Sequence, residues 1–348
     1  MWQHEIKTSI PLLDEKGNLT QPGWARKLLP IYNRSAVKAP AARIKEWDYY
    51  LVANDRFAVA LTIADNGYMG LDSISFLNFE AGEQTTKSPI RAMPMGKTGL
   101  PNTSKEGVSA VSGKGYGMTF LHVDGKELGP ARQLLFRMDN FVDGQPIQGS
   151  IMLYDEPADS MVICTPFDKP GHFYYNQKIN CMRASGTVTV GGQTYRFDPS
   201  ESFGVLDWGR GVWTYSNTWY WSSASGLLDG VPFGFNLGYG FGNASAATEN
   251  VLIYGGKVHK LSHVKFNIPG KPGREDYMSP WTFTSDNGRL ELQFVPIMNR
   301  ASNTDLKFLK SDQNQVFGRF SGRVVLDDGT PLQVKDLLGF AEKVVNKW

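Results

Sequence analysis

Apolar and polar residues alternate in short runs along this chain, and glycine, asparagine, aspartate or proline closes each run. From Lys45 the runs read E-W-D-Y-Y-L-V-A, then R-F-A-V-A-L-T-I-A, then Y-M-G-L-D-S-I-S-F-L-N-F. They part at Asn54-Asp55 and at Asp65-Asn66-Gly67, where residues tolerant of positive φ can turn a hairpin. That spacing predicts an antiparallel meander. Comparable strand signals follow at 116–123, 131–138, 149–154, 161–165, 173–179 and 186–197, and later at 251–254, 258–268, 281–283, 290–295 and 316–326. Residues 1–42 show no sustained period and carry Pro11, Pro22, Pro30 and Pro40. They predict an irregular arm laid over the body, anchored by Trp24, Leu28, Leu29 and Ile31.

Two further patterns stand out. In V-P-F-G-F-N-L-G-Y-G-F-G, strand alternation places Phe233, Phe235, Leu237, Tyr239 and Phe241 on one face. Gly234, Asn236, Gly238, Gly240 and Gly242 fall on the other, which points to a close approach to the backbone there, whether by a ligand, another sheet or a bend in a barrel wall. At the C-terminus Leu337, Leu338, Phe340, Ala341, Val344, Val345 and Trp348 share a helical face behind Asp336 as N-cap, which predicts an amphipathic helix.

The chain has 348 residues, with 41% apolar and 20% charged content, 37 glycines and a 12% aromatic share. This suits strands joined by tight turns, as two domains or one large all-β unit. The formal net charge of +2 comes without any basic stripe, so no nucleic-acid partner is expected. No apolar run is long enough for a membrane span or a signal peptide, so the expected location is the cytoplasm. Cys164 and Cys181 lack metal or redox spacing and read as buried thiols. His259 and His263 would lie about 13 Å apart on a strand, too far to share one metal ion. Neither a metal nor a cofactor is called for: G-x-S-x-G, H-E-x-x-H, paired C-x-x-C and a strand-to-helix G-x-G-x-x-G are all missing.

The candidate chemistry gathers between Glu201 and Ser223, in E-S-F-G-V-L-D-W-G-R-G-V-W-T-Y-S-N-T-W-Y-W-S-S. Trp208, Trp213, Trp219 and Trp221 lie here, four of nine tryptophans, with Tyr215, Tyr220 and the Asp207/Arg210 charges among them. Such a cluster is either a packed seam or the wall of an aromatic cavity. Asp207 and Arg210 are the candidate catalytic pair. Desolvation between Leu206 and Trp208 would make Asp207 a proton donor, whereas a bridge to Arg210 would make the pair a structural brace of the Gly209–Gly211 turn. Candidate ligand-binding residues are Trp208, Trp213, Tyr215, Asn217, Trp219, Trp221, Asn236 and Tyr239.

Gly204, Leu206, Asp207, Trp208, Gly209, Arg210, Gly211 and Trp213 match the G-x-L-D-W-G-R-G-x-W signature of a bacterial family of unknown function, which the whole chain resembles. More distantly it is similar to the tandem lipocalin-like proteins that include carotenoid hydratase, AttH-like proteins and fungal pericyclases. Trp208 stands where those relatives carry histidine, so the resemblance implies architecture rather than hydratase chemistry. The expectation is an all-β chain of two lipocalin-like (calycin-type) antiparallel barrels, 1–200 and 201–348, with a C-terminal helix. The expected partner is a hydrophobic small molecule, such as an isoprenoid, fatty acyl or polyketide-like compound, held at or between the barrels. Alternatives are a cofactor-independent hydratase or isomerase using Asp207 as acid, and a scaffold without ligand.

Overall fold

A computed structural model describes residues 3–125, 129–306 and 309–347. Two large antiparallel sheets, each curled into a half-barrel, account for nearly all of it. In the first sheet the predicted meander appears as β1 (Lys45–Ala53), Phe57–Asp65 and Met69–Asn78. Two long strands, β2 (Phe173–Val190) and β3 (Phe203–Val212), complete its centre, with β3 paired between β1 and β2. Beyond β2 the order continues through Gln145–Tyr154, Gly129–Val142, Tyr116–Gly125 and Val108–Gly113.

The second sheet contains β4 (Ser216–Leu228), β5 (Val231–Tyr239) and β6 (Pro331–Lys347), with β4 paired between β5 and β6. The sheets therefore change between Val212 and Ser216, not at residue 200. The segment 203–212 closes the first sheet instead of opening the second, because its backbone finds hydrogen-bonding partners on both sides there.

The C-terminal helix is not formed. Residues 331–347 are the strand β6, paired to β4 and to Leu309–Val325. Leu337 and Ala341 enter the second core while Leu338 and Phe340 pack into the layer between the sheets. A strand buried on both faces loses its period of two, and its apolar spacing then imitates a helical stripe. Asp336, the expected N-cap, instead takes φ 50° beside a register shift in the same ladder. Trp348 lies outside the described residues. Among these residues the helical turns are two short 3-10 segments, Arg34–Ala36 and Ala41–Arg43.

The arm is irregular, as its prolines require, and Gly23–Ala25 adds to the sheet beside Met161–Pro166. Trp24 and Leu28 anchor it, whereas Ile31 is 58% exposed. Each half-barrel has its own apolar core, and a third cluster of Tyr49, Leu51, Phe79, Trp221, Met298, Phe317 and Phe340 lies between them. Polar stitches cross the same seam. Asn180 Nδ2 donates to Ser223 Oγ (2.7 Å), Arg300 Nη1 to Ser75 Oγ (2.8 Å) and Arg319 Nη1 to Asp55 Oδ1 (2.8 Å).

Candidate functional site at the seam

Every residue of β3 is buried, since one face lines the first half-barrel and the other the seam. Alternation then decides where each side chain of the cluster goes. Trp208 and Arg210 point into the first half-barrel. There Arg210 donates to Asp48 Oδ1 (3.0 Å) and to the carbonyls of Trp47, Gly209 and Pro101 (2.8 Å each), with its guanidinium carbon 4.2 Å from the Trp208 ring centre. Asp207, three residues before Arg210, points the opposite way. It pairs with Lys178 Nζ at 2.8 Å, directly across from it on β2, and also accepts from Asn176 Nδ2 at 2.6 Å. The two expected partners are therefore on different sides of the sheet. Gly209 makes room for the Trp47 indole, which a Cβ there would overlap, and not for a guanidinium.

Around the Lys178–Asp207 pair the two sheets bring together further titratable and aromatic groups. Lys178 Nζ lies 4.2 Å from the Trp221 ring centre and 3.4 Å from Tyr174 Oη. Trp221 Nε1 donates to Asn236 Oδ1 (2.7 Å), and Asn236 Nδ2 donates to Glu249 Oε2 (3.2 Å). Glu249 lies over Gly238, where a Cβ would come within 2.5 Å of its Oε1, so the bare face of β5 serves this approach and the packing of Cys181 on Gly234. On the other flank Glu342 of β6 accepts from Trp219 Nε1 and Gln315 Nε2, at 3.0 Å each. Burial raises the Glu342 pKa to about 7, against the opposing pull of its hydrogen bonds and of Arg300 and Lys178. Burial also raises that of Glu249, and moves the Tyr49 phenol up to about 12.

Above this polar centre stands an aromatic cage. Trp47 stacks on Tyr174 (6.2 Å) and meets Trp213 edge-on (5.5 Å). Below it, a groove of mixed character and about 210 Å³ opens, lined by Leu51, Val205 and Phe317 and by the charged Asp55, Glu201 and Lys335.

Of the candidate residues, Asp207, Trp213, Trp219, Trp221 and Asn236 meet along the seam. Tyr239 faces the second core, stacked on Tyr220 at 4.5 Å. Asn217 ties a turn to Thr214, and Tyr215 is 50% exposed. Sequence reasoning missed Lys178, Tyr174, Glu249 and Glu342. Only Glu342 left a signal, as a carboxylate inside the apolar run L-L-G-F-A-E-K-V-V. Among the described residues no group of three or more His, Cys, Asp or Glu is arranged to hold a metal ion, and no helix is long and apolar enough to cross a membrane.

Two curled antiparallel half-barrels, joined back to back with a polar and aromatic seam, define a tandem lipocalin-like protein. The chain belongs to DUF2804, a domain family of unknown function, whose model matches residues 3–348. No curated protein is detectably similar in sequence. Among solved structures, kievitone hydratase from Nectria haematococca superposes with a TM-score of 0.51 at 12% identity, over 96% of this chain and 98% of that one. That likeness is one of fold. An AttH-like protein from Nitrosomonas europaea (TM-score 0.47, 12% identity, 86% of this chain and 92% of that) and CghA (0.45, 11%, 98% and 94%) are also similar.

Proposed function

We propose that the seam binds a largely apolar small molecule and transfers a proton to it without a cofactor, as a hydratase or isomerase does. The observation that carries this reading is the placing of Lys178 and Glu342 against the Trp221 and Trp219 indoles between the half-barrels, with Asp207 paired to Lys178 and Glu249 linked to Trp221 through Asn236. Glu342 is the donor. A carboxyl that titrates near neutral pH is both populated as acid and willing to give up its proton. Asp207 has another part, because its Oδ1 already accepts from Lys178 and Asn176. It holds the ammonium in place, so that Lys178 can face an oxygen that gains negative charge. In a hydration, the Glu342 proton adds to one carbon of a double bond and a water oxygen to the other; the water's surplus proton restores Glu342. In an isomerisation the Glu342 proton adds at one end of the double bond, and the carboxylate then takes a proton from the allylic carbon beyond the other end, which shifts the double bond and restores Glu342.

Ligand binding without turnover is the second reading, and the groove beside Val205 and Phe317 favours it. One experiment separates the two. The protein is incubated with the apolar metabolite fraction of its host in D2O or in H2(18)O, and products are read by mass spectrometry. A product labelled by wild type and not by Glu342→Gln supports proton transfer. A metabolite that co-purifies with both proteins and never gains label overturns it in favour of binding alone.

A further inference from the structure

Phe241 lies on the loop after β5, between Gly240 at φ 93° and Gly242 at φ 73°. Four rings meet its own edge-on: Tyr174 at 4.9 Å, Phe167 at 5.2 Å, and Trp213 and Trp219 both at 5.4 Å. Interplanar angles of 71–88° in all four pairs make this a cage closed around a single phenyl ring. Its occupant arrives on a loop, partly exposed, whereas the walls belong to regular strands or the segments that flank them. Two of those walls are shared with the polar centre. Tyr174 presents its ring to Phe241 and its hydroxyl to Lys178 (3.4 Å), while Trp219 presents its ring to Phe241 and its N–H to Glu342 (3.0 Å).

We infer that Phe241 fills a subsite built for an aromatic ring of the ligand, and that the ligand enters by displacing it. The inference rests on the seam being the ligand site and narrows the ligand to one that carries a planar aromatic ring beside its reacting oxygen or double bond. A ring seated where Phe241 now lies touches Tyr174 and Trp219, whose polar ends reach Lys178 and Glu342. Gly240 and Gly242 supply the hinge. Neither can be replaced without strain, and a Cβ on Gly240 would meet Thr218 O at 2.8 Å, so the loop turns where only glycine fits.

The test uses 2-naphthol and its saturated counterpart, decahydro-2-naphthol, with binding read by quenching of indole emission and by calorimetry. Phe241→Ala vacates the cage and removes the competing ring, so 2-naphthol should bind about tenfold tighter than to wild type. The saturated alcohol, without a ring edge or face to offer, should bind about tenfold more weakly than 2-naphthol. In wild type, saturating 2-naphthol should speed amide exchange across residues 240–246 as the loop leaves, a measurement that needs no variant. Equal affinity of Phe241→Ala and wild type, equal affinity of the two alcohols, or unchanged exchange in that loop would each overturn the inference. If naphthol displaces Phe241 while no label enters any product, proton transfer fails and the subsite stands.

Discussion

Lys178 and Asp207 face each other across adjacent strands, 2.8 Å apart, on the side of the first sheet that looks toward the second. Arg210, the nearer cation in sequence, is spent on Asp48 inside the half-barrel. One strand thus supplies a buried brace from one face and a candidate site from the other, and the two can be tested apart.

Arg210→Ala should cost stability. The guanidinium is fully buried, and its removal leaves Asp48 as an uncompensated charge in the interior, while Glu46 keeps its pair with Arg34. A loss of about 3–5 kcal/mol is expected. Urea denaturation should show it as a lowered midpoint with an unchanged slope; a change below 1 kcal/mol would mean that the network is not the brace described.

Glu342 predicts a pH dependence with a definite sign. Its folded pKa, about 7, stands above the ordinary 4.5, so between those values the unfolded chain releases a proton that the folded one keeps. Wild type therefore loses stability as pH rises from about 4.5 to about 7, and the loss levels off above that. Glu342→Gln lacks this term. Unfolding free energies of the two proteins, measured by urea denaturation at each pH, should diverge in favour of the variant across that window, by up to about 3 kcal/mol. A gap that shrinks with rising pH would contradict the buried acid.

Asn180 occupies the bulge in β2, where the register shifts between Ile179 and Met182 and Cys181 takes φ 62°. Its amide donates to Ser223 Oγ, Ala224 O and Phe235 O of the second sheet. Asn180→Ala leaves those acceptors buried and short of a donor, which costs about 1–3 kcal/mol. The loss should be visible in equilibrium unfolding, and amide exchange should quicken along the β4–β5 pair more than in the far strands of either sheet.

Both thiols should be inert in the folded protein. Burial raises the Cys181 pKa to about 12 and that of Cys164 higher still, so neither offers thiolate at neutral pH. Iodoacetamide followed by intact-mass analysis should add nothing to the native chain and two adducts in guanidinium. A single native adduct would show that one of the cores opens far more readily than its packing implies.

The meander from Lys45 to Asn78 was legible because its signals are local: an Asn-Gly turn and alternating residues specify a hairpin within a few positions. Alternation alone also separates Asp207 from Arg210, since a gap of three on a strand reverses the face, but the reading of β3 as a compact turn hid this. β6 was misread for a different cause. Periodicity reports burial, and a strand covered on both sides carries apolar residues at helix-like intervals.

The order of residues by itself determined an all-β chain with an irregular leading arm, and it located the tryptophan-rich segment. Those properties follow from backbone preference and short-range turns. Only the tertiary structure decided that β3 belongs to the first sheet, that Lys178 is the partner of Asp207, and that Glu249 and Glu342 join them. The side-chain contacts link positions up to 123 residues apart, and sheet register sets them, which no local propensity encodes.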